Sequence, residues 1–245
     1  MTLTKESDHV SLRFEELAWS QTPRGTISLR RRLEPTLNVD VYEVKLGDEF
    51  LMSSLFTVAE AELARLGLAQ ARGDELDIVV GGLGLGCTAL SALEDPRVRS
   101  MLVVDAMAEV IEWHQRELLP GASELVHDER ARLVLGDFFA MAASEAGFDP
   151  DAPGRRFDVV VLDIDHTPKH LLHPDHAPFY SVDGLRRLKS HLKPGGVFAL
   201  WSDDPPDNEF NALLAETFDS SEAHVVTFAN FLTGGESSNT VYVAH

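Results

Sequence analysis

From residue 76 onward, short apolar runs alternate with longer stretches in which apolar residues recur at helical spacing. The runs predict strands at Leu76–Val80, Met101–Val104, Ala131–Leu135, Phe157–Leu162 and Val197–Trp201. Between them the pattern predicts helices over Thr88–Leu93, Glu109–Leu118, Phe138–Ala146 and Val182–Leu192. Strands separated by helices in this order predict a doubly wound, mostly parallel sheet. A further helix is expected over Asn208–Phe218. Two strands then follow, His224–Phe231 and Asn239–Ala244, joined through Gly234-Gly235 as a terminal antiparallel hairpin.

The chain before residue 76 reads differently. Leu55 to Leu68, with Leu63, Leu66 and Ala69 at helical spacing, predicts an amphipathic helix that ends near Gly73. Gly25–Arg30 and Val39–Leu46 alternate polar and apolar residues around the turn residues Pro35 to Asn38. A short third strand is expected at Glu49–Met52. So small a sheet cannot stand alone and must pack on the main domain or on a second subunit. The expected organisation is a tail over residues 1–19, a small β-sheet over 20–53 and a Rossmann-like domain over 54–245, with no internal repeat or low-complexity segment.

The first strand of the α/β part breaks into four glycines, Gly81-Gly82-Leu83-Gly84-Leu85-Gly86, and resumes with helix-compatible residues from Cys87. A strand-to-helix turn without side chains lets a ligand touch the backbone, and the helix N-terminus presents unpaired N–H groups there. The spacing Gly82-x-Gly84-x-Gly86 is the short form of class I S-adenosylmethionine folds, and the dinucleotide pattern G-x-G-x-x-G is not met. The plain alternative is a glycine-rich turn that holds no ligand.

Charge narrows the partners. Against 21 Lys and Arg stand 40 Asp and Glu, a formal net charge of −19. No nucleic-acid partner is expected for such a chain, because phosphate binding needs a basic face; a cationic substrate would be drawn in. The same acidity also serves solubility. One cysteine, Cys87, excludes an internal disulfide and a multi-cysteine metal site. Met1 to Ser11 carries neither a signal-peptide core nor transit-peptide character, and no apolar run approaches membrane-spanning length. A cytoplasmic protein without a membrane partner is expected.

In an open α/β sheet the ligand sits beyond the carboxyl ends of the strands, so the polar residues that follow each strand are the candidates. Asp105 stands where a carboxylate can take both ribose hydroxyls, with Ala106 beside it; it could equally cap the next helix. Asp137 could accept an adenine amino group while Phe138 packs on the ring, or it too could be a cap. The fourth strand ends Asp163-Ile164-Asp165-His166, two carboxylates and an imidazole able to hold a cationic amine and accept its proton. Trp201-Ser202-Asp203-Asp204 adds acid to the same rim. His166, His170, His173 and His176 form a cluster, but Pro168 and Pro174 interrupt any helix through them. A substrate-lining lid is expected there, with no metal.

These residues together resemble the spermidine synthase (polyamine aminopropyltransferase) family. Gly81 to Gly86 is similar to its Gly-Gly-Gly-Asp-Gly-Gly loop, and Val103-Val104-Asp105 through Ile111-Glu112 to its Val-Glu-Ile-Asp-Pro-Glu-Val-Ile stretch. Leu135-Gly136-Asp137, the strand closing on Asp163, Pro178-Phe179-Tyr180 and Leu192-Lys193-Pro194-Gly195-Gly196 continue the likeness over about residues 75 to 202. The resemblance implies Asp105 on the ribose, Asp137 on the adenine side and Asp163 as the catalytic Asp. The departures are specific: leucine replaces the loop's Asp, His166 takes the place of the second acid of Asp-x-x-Asp-Pro with Asp165 one place early, and the N-terminal Tyr-His-Glu signature is missing, with Glu60 and Glu62 as loose candidates.

Three functions follow as expectations. The first is aminopropyl transfer from decarboxylated S-adenosylmethionine to a small amine, with Asp163 as base assisted by Asp165 or His166. The second is methyl transfer from intact S-adenosylmethionine, and the third is nucleoside binding without catalysis. The N-terminal sheet suggests a homodimer.

Overall fold

A computed structural model describes residues 14–23 and 25–245 of the chain. The first part of the expected tail lies outside the described residues. Contacts divide the protein into two compact units, one ending at Leu55 and the other running from Phe56 to His245.

The first unit is a four-stranded antiparallel meander of β1 (Phe14–Thr22), β2 (Gly25–Glu34), β3 (Val39–Leu46) and β4 (Glu49–Ser53). Residues 14–19, expected as tail, therefore form most of a strand. Its pairing with β2 slips between Glu16 and Ala18. A bulge of that kind breaks the two-residue period, so the stretch does not read as a strand. Ile27, Leu29, Val41 and Val44 are buried. Glu43 accepts from the Nε atoms of Arg30 and Arg32 at 2.7 Å each.

The second unit begins with α1 (Val58–Gln70). Then follow β5 (Leu76–Gly81), α2 (Cys87–Leu93), β6 (Val98–Asp105), α3 (Ala108–Gln115), α4 (Ala122–His127), β7 (Ala131–Leu135) and α5 (Phe138–Ala143). After β8 (Phe157–Leu162) the chain makes a 3₁₀ turn at Pro174–Phe179. It closes with α6 (Val182–Ser190), β9 (Leu192–Ser202), α7 (Asn208–Thr217), β10 (Ser221–Asn230) and β11 (Gly235–Ala244). Among the described residues these strands form one seven-stranded sheet in the order β10-β11-β9-β8-β5-β6-β7. Strands β9, β8, β5, β6 and β7 are parallel, and the β10–β11 hairpin joins antiparallel to β9. This is the expected Rossmann-like class I methyltransferase architecture.

Several boundaries move. Helix α3 stops at Gln115, two residues before Glu117 takes a φ of +55°. Strand β9 begins at Leu192 rather than Val197, because Lys193 to Gly196 is a bulge that interrupts its pairing with β8. Helix α4 was not expected; only six residues long, it follows Gly121 in the left-handed region.

Strand β5 is buried along its whole length, as the central strand of a sheet covered on both faces must be. One covering layer is α1, through Ala59, Leu63, Ala64 and Leu68. A Cβ at Gly67 would lie 3.1 Å from the Ala199 Cβ, so the helix rests directly on the sheet there. The other face packs Phe138, Phe148, Phe157, Phe179 and Phe198 into one aromatic core. No described helix is long and apolar enough to cross a membrane.

Candidate active site

The chain winds outward from β5 through β6 to β7 and then crosses back to β8, which places the switch point of the sheet between β5 and β8. Ligands of open α/β sheets bind at that point. The glycine turn stands there, with φ values of +95°, +47° and +86° at Gly82, Gly84 and Gly86. Two of these glycines also have reasons internal to the protein. A Cβ on Gly82 would sit 2.0 Å from the carbonyl oxygen of Asp163, and one on Gly86 2.9 Å from Cε1 of His114. His114 is fully buried and holds the turn through its Nε2, 3.0 Å from the Gly84 carbonyl. Burial lowers its pKa, so the ring is neutral and Nε2 is the atom that donates.

Asp105 closes β6 beside the turn. Its Oδ2 accepts from the Leu83 N–H at 3.0 Å and its Oδ1 from the Met107 N–H at 2.7 Å. The carboxylate is thus fixed in orientation by two backbone donors. Ala106 is exposed next to it. Across the ladder Asp105 pairs with Leu135, a large apolar side chain 61% exposed at the end of β7.

Asp137 caps α5: its Oδ1 accepts from the N–H groups of Phe139 and Ala140 at 2.9 and 3.1 Å. Phe138 is a correction. Its ring is only 1% exposed, stacked 4.9 Å from Phe148, and it occupies the space where a Gly81 side chain would be. An adenine ring has no access to it. Being the first residue of a helix whose buried face is Phe138, Phe139 and Ala142, it points into the core.

Asp163 follows β8, half-buried, and its Oδ2 accepts from Thr88 Oγ1 at 2.7 Å. Burial raises its pKa to about 6. Glu60, on the first turn of α1, is raised to about 8 by burial, by the charge of Asp163 and by that of Asp203. Two carboxyls so placed do not both ionise freely, and the pair retains a proton near neutral pH. Cys87 completes the group: burial, Glu60 and Asp163 push its thiol up to about 12, which leaves it un-ionised and unreactive. Glu60 carried only a weak sequence signal, because nothing in the spacing of α1 shows that its first turn faces the end of β8.

The other two residues expected to act at this strand end are held by contacts of their own. Asp165 is buried and saturated: it accepts from Leu172 N–H at 2.7 Å, from His176 Nδ1 at 2.8 Å and from Tyr180 OH at 2.9 Å. It anchors the segment between β8 and α6. His166 is half-buried, with its ring centroid 4.9 Å from that of His170, and its carbonyl accepts from the Asp203 N–H at 2.8 Å. His176 lies flat on Phe139 at 3.9 Å. Among the described residues, no three His, Cys, Asp or Glu side chains are grouped to hold a metal ion.

Next to Glu60 opens a cavity of about 370 Å³, lined by Phe56, Glu60, Trp201 and Asp203 together with Phe228, Asn230 and Ser237 to Asn239 of the terminal hairpin. The sequence pointed to Trp201 and Asp203. It did not point to the hairpin, whose alternating pattern carries no sign of which face lines a site.

No protein-family model matches the chain. Its fold is that of solved spermidine synthases. The enzyme from Thermotoga maritima superposes with a TM-score of 0.68 at 16% identity, covering 94% of this chain and 72% of that one. A spermidine synthase solved with the transition-state analogue AdoDATO gives 0.67 at 17% identity, over 92% of this chain and 72% of the other. A probable spermidine synthase from Corynebacterium glutamicum gives 0.59 at 17% identity, over 93% and 79%.

Proposed function

We propose that the protein is a transferase that binds decarboxylated S-adenosylmethionine and passes its aminopropyl group to a small amine. The observation that carries this reading is Asp163, tied to Thr88 just after the glycine turn, with Glu60 lining a cavity of acidic and aromatic walls and burial raising the pKa of both carboxyls. On the nucleoside side, Asp105 is fixed at the glycine turn by the Leu83 and Met107 N–H groups, and Leu135 offers an exposed apolar surface beside it.

The sulfonium co-substrate supplies a carbon whose leaving group is a neutral thioether. This chain's task is to hold the amine in line with that carbon and to take its proton, and alignment of the two reactants is the larger part of the rate. The amine nitrogen donates its lone pair to the carbon, the C–S electrons leave on sulfur as methylthioadenosine, and the new ammonium loses a proton to Asp163. A carboxylate whose pKa lies near 6 accepts that proton at neutral pH better than an ordinary one. The acidic surface, with its net charge of −19, draws cations toward the cleft.

The same reading places the protein in the cytoplasm as a homodimer joined through the N-terminal sheet, where Phe14 and Trp19 are 53% and 64% exposed. A monomeric mass in solution would remove the dimer.

Calorimetric titration with S-adenosylmethionine, its decarboxylated form and methylthioadenosine tests the function. Preference for the decarboxylated form with tight methylthioadenosine binding is expected. Preference for the intact cofactor would turn the reading to methyl transfer, and binding without turnover of any acceptor would leave a nucleoside-binding protein.

A further inference from the structure

The edge of a sheet presents backbone N–H and C=O groups that a further strand can take, and proteins guard such edges with short strands, bulges, Pro or charge. Among the described residues the edge strands are β1, β4, β7 and β10. Three of them carry guards. Strand β1 has its bulge between Glu16 and Ala18 beside the adjacent acids Glu15 and Glu16. Strand β4 is five residues long, begins at Glu49 and slips in its pairing with β3. Strand β7 is equally short and carries Arg132, ion-paired to Asp149. Strand β10 has none of these devices. It runs ten residues in unbroken register with β11, holds neither Pro nor Lys, and has Glu222 as its one charged residue in a chain that is 25% charged.

Which backbone groups face outward follows from the ladder. Ser220 and His245, flanking the hairpin's open end, exchange both backbone hydrogen bonds, at 2.9 and 3.0 Å. Hydrogen-bonded and non-hydrogen-bonded pairs alternate in an antiparallel ladder, so the even-numbered residues of β10 turn toward β11 and the odd-numbered ones turn away. The outward residues are Ser221, Ala223, Val225, Thr227 and Ala229. Val225 is 56% exposed, and Thr227 and Ala229 are exposed with it.

We propose that β10 pairs antiparallel with β10 of a second copy of this chain, about a two-fold axis at Val225, joining two seven-stranded sheets into one. In that register Val225 faces Val225, Ala223 faces Thr227 and Ser221 faces Ala229, so every outward residue finds an outward residue opposite. A centre elsewhere on the strand leaves outward groups unmatched at one end. In the intervening pairs Glu222 faces Phe228 and His224 faces Val226, so no like charges meet. This neutrality is what favours a second copy over a foreign strand. Two chains of net charge −19 repel, and along β10 they can approach without setting acid against acid. The inference is independent of the transferase reading and of any pairing through the N-terminal sheet.

Sedimentation equilibrium of the purified full-length protein and of Val225→Lys, over a concentration series, tests the interface. Lysine at the two-fold sets two ammonium groups face to face, and association should weaken at least about tenfold. Where the parent is associated, its mass should be twice that of the variant at the same concentration. Thr227→Pro is the second variant: it deletes an outward N–H, and edge strands admit Pro. It should halve the mass in the same way with an unchanged circular dichroism spectrum, and it decides the matter if Val225→Lys does not fold. Masses equal to the parent's overturn the proposal, whatever assembly the N-terminal sheet supports.

Cross-linking reads the register. Val225→Cys brings two thiols together at a hydrogen-bonded pair, where Cα atoms stand about 5.5 Å apart, within the span of a disulfide. Oxidation with diamide should convert this variant to a covalent dimer. In Thr227→Cys the two thiols lie four residues apart along the ladder, about 13 Å, and cross-linking should be at least about tenfold slower. Equal rates in the two variants would mean random collision, and no covalent dimer from Val225→Cys would mean a different occupant of the edge or none. Either result overturns the inference.

Discussion

Thr88 Oγ1 donates a hydrogen bond of 2.7 Å to Oδ2 of Asp163, joining the first turn of α2 to the end of β8 across the switch point. A donor to the charged form of a carboxyl favours that form, so Thr88 opposes the effect of burial, and the balance leaves the Asp163 pKa raised to about 6. Thr88→Val removes the donor and should raise the Asp163 pKa further, by about one unit. The base form is the active one in the proposed reaction, so the acid limb of the pH profile for kcat should move to higher pH by that amount. A profile that stays in place would show that Asp163 is not the titrating base.

Asp163→Asn keeps the side-chain volume and abolishes the proton acceptor. Turnover should fall by about 10²–10⁴-fold, while methylthioadenosine affinity stays within about threefold, since the nucleoside contacts assigned to Asp105 and the glycine turn are untouched. Parallel loss of binding and turnover would mean that Asp163 holds the nucleoside and not the proton.

Stability should depend on pH with two opposite contributions. Glu60 and Asp163 have pKa values raised from 4.5 and 3.8 to about 8 and about 6, so the folded state binds protons more tightly than the unfolded one. Their contribution is complete below about pH 4 and is lost as pH rises through 6 to 8. Asp77 behaves in the reverse way: burial alone would raise it, but Arg99, Lys193 and Ser100 hold it well below the usual carboxylate range. Its contribution is present above about pH 4 and is lost on acidification. Glu60→Gln should therefore gain stability relative to the parent protein on going from pH 5 to pH 9, by about 1–3 kcal/mol, read from urea unfolding at each pH. Asp77→Asn leaves Arg99, Arg155 and Lys193 without their shared partner and should cost about 2–4 kcal/mol at pH 7.

The parallel sheet was legible because its strands are buried on both faces and so read as uninterrupted apolar runs, as in Ile78-Val79-Val80 and Val159-Val160-Val161. Strand β1 was not, because its bulge destroys the alternation. At the site, the residues that end parallel strands were legible by position alone, and Asp105 and Asp163 stand at the turn as expected. Position does not fix direction, however. Phe138 and Asp165 each lie three residues beyond such an end and point inward, one into the aromatic core and the other onto Tyr180 and His176. Glu60 and the lining from Phe228 to Asn239 come from elements far apart in sequence, and only the packing of α1 and the terminal hairpin brings them together.

His114 makes the glycine turn testable without touching the ligand surface. It is fully buried, its Nε2 holds the Gly84 carbonyl at 3.0 Å, and its ring occupies the space that a side chain at position 86 would need. His114→Phe keeps the bulk and deletes the donor, leaving the Gly84 carbonyl short of a partner. Methylthioadenosine should bind about tenfold more weakly, with kcat at saturation reduced much less, and His114→Gln should recover part of the affinity. A fall in kcat at unchanged affinity would place His114 in the chemistry instead.

Asp163 and Asp165 stand two residues apart and should respond to substitution in opposite ways. Asp165 is 3% exposed and accepts three hydrogen bonds that tie the segment before α6 to the end of β8. Asn in its place has one oxygen instead of two and presents an N–H₂ group to donors, so at least one of the Leu172, His176 and Tyr180 donors loses its acceptor inside the protein. Leaving a buried donor unpaired costs about 1–3 kcal/mol, more where the lost partner was charged. Asp165→Asn should therefore lower the urea midpoint and loosen the segment from His166 to Phe179, seen as faster amide exchange there. Activity per folded molecule should stay within about threefold of the parent, in contrast to the loss of turnover at full stability expected for Asp163→Asn. Full stability with abolished turnover in Asp165→Asn would return that residue to the catalytic group.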